Sequence, residues 1–281
     1  MPELNTFEAE KKRFIRREFS TDLGVMMTEK DQQTQLKDIK AMEALDHTPS
    51  QKVDLRFMKT QTLREIAKST GDREGKKKLQ SEIVKIAEDK NCTWGRPKLS
   101  ASQLLFMKDD GVKWGGVTTN HGKAMEMFKS ALDLAKSQGD EETQAMAVRS
   151  AVRWATGKDS DIYASVGKKA LKEVASRPEC IVASVKVLNA AIASPGARNN
   201  ASINAEKKLY LTAWRASPAA KMLPNVKTAD DLCKLTEKDI VAAYAKASPQ
   251  TVAKRMEGPS LAAPLSRSNN RQKVKDLGVT L

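Results

Sequence analysis

The chain has 281 residues, 40% hydrophobic and 30% charged, and its 49 Lys+Arg outnumber 35 Asp+Glu for a net charge of +14. That length carries one large domain or two modest ones, and a surface this basic attracts polyanions such as RNA, DNA or acidic lipid. Two histidines, His47 and His121, and three scattered cysteines, Cys92, Cys180 and Cys233, supply no metal-ligand spacing and no disulfide framework.

Apolar residues recur at helical spacing and no run of alternating β-branched residues occurs, so the expected class is all-α. Phe7, Phe14, Ile15 and Phe19 mark a helix over 7–19. Thr28 caps another over 29–45, with Asp31 three residues on and Leu36, Ile39, Met42 and Leu45 as its stripe. Helices are expected over 62–68 and 76–90, either side of Ser69-Thr70-Gly71-Asp72. Residues 91–97 read as irregular and 100–107 as a short helix. The stretch 108–122 holds Gly111, Gly115, Gly116 and Gly122 and is the expected hinge.

Alanine-rich helices follow over 123–137, 140–156, 161–176 and 178–193, punctuated by Gly139, Gly157 and Pro178. Further helices are expected over 202–216, 237–247 and 249–256. The stretch 181–193 is too short and too polar to span a bilayer, and no secretory segment is expected at Met1-Pro2-Glu3-Leu4. The expected organisation is an N-terminal arm or helix (1–27), an N-terminal helical lobe (28–110), a hinge (111–122), a C-terminal helical lobe (123–257) and a basic C-terminal arm (258–281).

The charge is unevenly distributed. Residues 1–50 carry net −2, 51–100 net +6, 101–150 net −1, 151–200 net +4 and 201–281 net +7. In the first basic region Arg73, Lys76, Lys77 and Lys78 surround the start of a helix, where backbone N–H groups also favour phosphate. In the second, Arg149, Arg153, Lys168, Lys169, Arg177, Lys207, Lys208 and Arg215 are candidate phosphate contacts. Trp154 follows Arg153 and Trp214 precedes Arg215. A cation beside an aromatic ring suits a single strand, since base stacking is worth about 1–3 kcal/mol per base, although such tryptophans also build cores. Phe7, Phe14 and Ile15 at one end and Leu277, Val279 and Leu281 at the other are the expected oligomerisation anchors.

Catalytic patterns are missing. The stretch from Gly116 to Lys123 has five residues between its glycines and Ala124 after the lysine, which departs from a phosphate loop. There is no HExxH and no GxSxG. Zinc-finger spacing and the RNP-type aromatic motif are also lacking. The expectation is a non-enzyme without metal or cofactor. It is a sequence-independent single-stranded RNA-binding structural protein that oligomerises to coat a genome, similar in general organisation to viral nucleoproteins. Its expected partners are single-stranded RNA, further copies of itself and a viral polymerase, with no membrane. Its expected location is the cytoplasm and, for a viral protein, the virion. The alternatives are a viral matrix-type protein binding acidic membrane and ribonucleoprotein, or a non-enzymatic double-stranded DNA-binding protein.

Overall fold

The computed structural model describes residues 3–22, 28–106, 119–157, 161–193 and 200–247. Every regular element among them is helical: α1 (Glu3–Asp22), α2 (Glu29–Glu43), α3 (Pro49–Ser69), α4 (Arg73–Glu88), α5 (Gly95–Phe106), α6 (His121–Gln138), α7 (Glu141–Thr156), α8 (Asp161–Ala175), α9 (Pro178–Ala193), α10 (Asn200–Ala216), α11 (Ala229–Cys233) and α12 (Glu237–Ala247), with a 3-10 turn at Pro218–Lys221. The all-α expectation is met. Most of the expected hinge, the helix over 249–256 and the whole C-terminal arm with Leu277, Val279 and Leu281 lie outside the described residues.

Local chemistry sets the helix starts. Thr28 accepts from the Asp31 backbone N–H while the Asp31 carboxylate accepts from the Thr28 N–H, and Thr48 with Gln51 repeats this reciprocal cap at α3. Asn120 caps α6, and Gly139 ends it in the left-handed conformation at φ 63°. His47 closes α2 from the other side, its Nε2 lying 2.6 Å from the Met42 carbonyl oxygen.

Several helices depart from the sequence reading: α1 begins at Glu3 and not Phe7, α4 begins at Arg73 and not Lys76, α11 was not expected, and the largest differences are at α3 and α5. Instead of 62–68, α3 begins at Pro49, because Val53, Leu55, Phe57, Met58, Thr60 and Gln61 are buried around most of its circumference and leave no single apolar stripe. Similarly, α5 begins at Gly95 within the stretch expected to be irregular. There a glycine is required: a Cβ on Gly95 would lie 2.6 Å from the Ala131 carbonyl oxygen and 3.2 Å from the Ala135 nitrogen. The start of α5 therefore rests directly on the backbone of α6.

The core has two apolar clusters. One gathers Phe14, Phe57, Met58, Ile83, Ile86 and Trp94. The other gathers Phe128, Leu132, Met146, Val148, Ile181 and Trp214. Each fully buried side chain of this size contributes about 1.5–3 kcal/mol relative to exposure. Helix α5 packs on α4, α6 and α7, and the Trp154 ring touches both clusters. Polar links join the same halves. The Trp94 indole donates to Asp140 at 3.1 Å, and Gln103 donates to Ser150 at 2.7 Å. All three cysteines are free thiols, and burial pushes Cys92 up to about 11 and Cys180 further. None is therefore an activated thiolate.

Candidate nucleic-acid interface

An exposed cationic surface belongs to α8. Gly167, Ala170 and Val174 face inward, so Lys168, Lys169 and Lys172 fall together on the outer face, all exposed. None of these three lysines forms an ion pair with a described residue. The position of α8 depends on close backbone contact. A Cβ on Gly167 would lie 2.3 Å from the carbonyl carbon and oxygen of Trp154 and 2.5 Å from the Ala155 nitrogen. Only glycine lets α8 approach the end of α7 so closely.

Beside this lysine face runs a cavity of about 510 Å3 between α6 and α8, lined by His121, Met125, Lys129, Val166, Lys169 and Lys172 among others. At its far end Lys129 lies 3.8 Å from Glu173, and Arg177 bridges Glu173 and Asp133 at 2.7 Å each. Those successive links show that α6 and α8 run side by side in the same direction. Arg177 is a clamp between helices, and its own charge is spent on two carboxylates. Near the other end the His121 ring lies 5.4 Å from Phe106, which stacks on Trp154 at 4.1 Å and 17°.

A second cationic corner sits where α3 meets α4. Burial together with the nearby Arg64 and Lys68 charges holds the Lys76 ammonium below its usual range, so these three cations crowd one another. Glu65 offsets part of that crowding, pairing with Arg64 at 2.9 Å and Lys68 at 3.6 Å. Arg73 and Lys78 are exposed and form no ion pair with described residues, whereas Lys77 pairs with Glu74 at 2.9 Å.

The remaining candidates separate by burial. Arg149 is only 3% exposed and pairs with buried Glu206 of α10 at 2.8 Å. It lies within a stretch of α7, Thr143 to Val152, that is buried on every side. Arg153 is exposed and lies 3.8 Å from the same glutamate. Lys207 pairs with Asp230 at 2.6 Å, and Arg215 donates to the Lys227 carbonyl at 2.7 Å. Lys208 is exposed. Trp214 and Tyr210 are almost completely buried, so their rings are core and not platforms for a base.

The N-terminal anchors are also accounted for within the chain. Phe7, Phe14 and Ile15 are each buried to 5% exposure or less, with Phe14 edge-on to Phe57 and Trp94. Lys11, on the same inner face, pairs with buried Asp54 at 2.6 Å and lies 4.5 Å over the Trp94 ring.

Among the described residues no group of His, Cys, Asp or Glu is arranged to hold a metal ion. No helix there is long and apolar enough to cross a membrane. Lys129, Lys172 and His121 were missed by the sequence reading. Lys172 had a usable signal, its three- and four-residue spacing from Lys169 and Lys168, but Lys129 and His121 reach the cavity from another helix. Comparison with family models, curated proteins and solved structures finds no match to this chain.

Proposed function

We propose that this chain is a sequence-independent single-stranded RNA-binding structural protein whose copies assemble along a genome, as a viral nucleoprotein does. The observation that carries the reading is the exposed face of Lys168, Lys169 and Lys172 beside the α6–α8 cavity. Flexible, unpaired ammonium groups next to a groove suit a phosphate backbone and carry no base information. The crowded corner of Arg64, Lys68 and Lys76 adds a second place where a polyanion relieves cation repulsion. In this reading the protein is not an enzyme, and it acts in the cytoplasm and the virion, in contact with a viral polymerase.

In the same reading the N-terminal lobe (28–110) and the C-terminal lobe (123–257) each carry one basic surface, and the described parts of both belong to one compact unit that runs to Ala247. The buried Phe7, Phe14 and Ile15 leave 258–281, with Leu277, Val279 and Leu281, as the segment assigned to neighbouring copies. A membrane-apposed role would call for Phe14 and Ile15 on the outside of α1, and it is not adopted.

Fluorescence anisotropy with single-stranded RNA across a salt series tests this proposal. Each neutralised phosphate contributes about 0.7 to the log–log salt slope for a single strand. Lys168→Ala/Lys169→Ala/Lys172→Ala should therefore flatten the slope by about 2 and weaken binding alike for all sequences. Tight RNA binding with an unchanged slope would remove the α8 face from the interface. Absence of any salt-dependent RNA affinity in the parent protein would end the RNA reading, and a strong preference for duplex DNA would replace it.

A further inference from the structure

We infer that the α6–α8 cavity is a single-nucleotide subsite, taking one nucleoside phosphate unit of the strand with its base inside and its phosphate at the lysine rim; this rests on the RNA-coating reading. The cavity has two chemically different ends. Lys169 and Lys172, one helical turn apart on α8, and Lys129 on α6 bring three cations to its edge. The carboxylate that also lines it, Glu173, is engaged by Arg177 at 2.7 Å and lies 3.8 Å from Lys129. The edge therefore keeps a net positive charge, which a phosphate complements.

The other end is apolar and aromatic. Met125 and Val166 come from facing helices, and half-buried His121 adds a ring backed by Phe106, itself stacked on Trp154. Met125 and Val166 are carried by packed helices and the His121 ring lies against Phe106, so a base seated at this end loses little by ordering loose side chains. At about 510 Å3 the space lies within the range of small-molecule sites, which is ample for one nucleotide and too small for a duplex. A surface that bound phosphate alone would need the lysines and not the apolar end formed by Met125 and Val166.

The chain's two histidines make the test direct, because His47, capping α2, serves as an internal control. Ring-labelled full-length protein is titrated with uridine 5′-monophosphate, ribose 5-phosphate and inorganic phosphate, following the histidine ring and methionine methyl resonances. Uridine monophosphate should shift His121 and Met125 by ring-current effects and leave His47 in place. It should bind about tenfold more tightly than ribose 5-phosphate, the share expected of one stacked base. Lys169→Ala/Lys172→Ala, both at exposed sites, should weaken both ligands by about tenfold or more.

Equal affinity for the nucleotide and the sugar phosphate, with no base-dependent shift at His121, would overturn the nucleotide subsite. So would RNA oligonucleotide binding that leaves His121 and Met125 unmoved, while the RNA-coating reading survives. Failure of the mononucleotide and the oligonucleotide alike would remove both.

Discussion

Lys11 is on the inner face of α1 with Phe7, Phe14 and Ile15, held between the Asp54 carboxylate and the Trp94 ring. Burial pushes the Asp54 carboxyl up, against the pull of Lys11. An acid whose folded pKa is raised contributes most stability when protonated, and that contribution is lost as pH rises through the folded pKa. Lys11→Met keeps the packing on Trp94 but leaves a buried carboxylate without its cation, a change that costs about 3–5 kcal/mol. The expected result is a large drop in the urea midpoint at pH 7. The gap to the parent should shrink as pH falls and close while still above the usual carboxylate range, because burial already holds the Asp54 carboxyl up and losing Lys11 raises it further. A pH-independent gap would mean that Lys11 acts through packing alone.

At the scale of elements, the lysine face on α8 works only if α8 lies where Gly167 lets it lie. Replacing Gly167 by Ala gains up to about 1 kcal/mol of helix propensity. It also drives a Cβ into the Trp154 carbonyl group, a backbone contact that cannot swing aside, and overpacking of that kind costs about 1–3 kcal/mol. The clash should win: Gly167→Ala lowers the unfolding midpoint and weakens RNA binding by shifting Lys169 and Lys172 relative to Lys129. A variant more stable than the parent would show that the α7–α8 approach is looser than the structure describes. Helices with clear punctuation were legible in the sequence, and α9 and α12 begin and end where expected. The long α3 was not, because its buried residues go almost all the way round and hide the period. Gly95 and Pro97 disguised the start of α5 for a different reason, a close backbone approach to α6 that only the packed partner reveals. The candidate interface divides in the same way. Lys168 and Lys169 were visible as an exposed pair, whereas the inward turn of Arg149 depended on Glu206, fifty-seven residues away.

At the scale of the molecule, the question is whether the two apolar clusters fold as one body or as two lobes free to move about 111–122. Three contacts favour one cooperative body: the buried Trp94–Asp140 hydrogen bond, the seating of Gly95 against α6, and the Trp154 ring that touches both clusters. Asp140 also caps α7, accepting from the Thr143 backbone N–H at 2.9 Å, so opening the interface would cost a helix cap as well. The tryptophans are natural reporters, since Trp94 is fully buried in one cluster and Trp214 in the other. In protein labelled with fluorotryptophan, the folded resonances of both should disappear at the same urea concentration, as for a two-state domain. Asp140→Ala should move both midpoints down together. If Trp94 instead melts separately from Trp214, the halves are independent lobes, and RNA is then held by surfaces that can close on it. Coincident melting places the α3–α4 corner and the α8 face on one rigid frame, so a strand touching both must follow a path fixed by the fold.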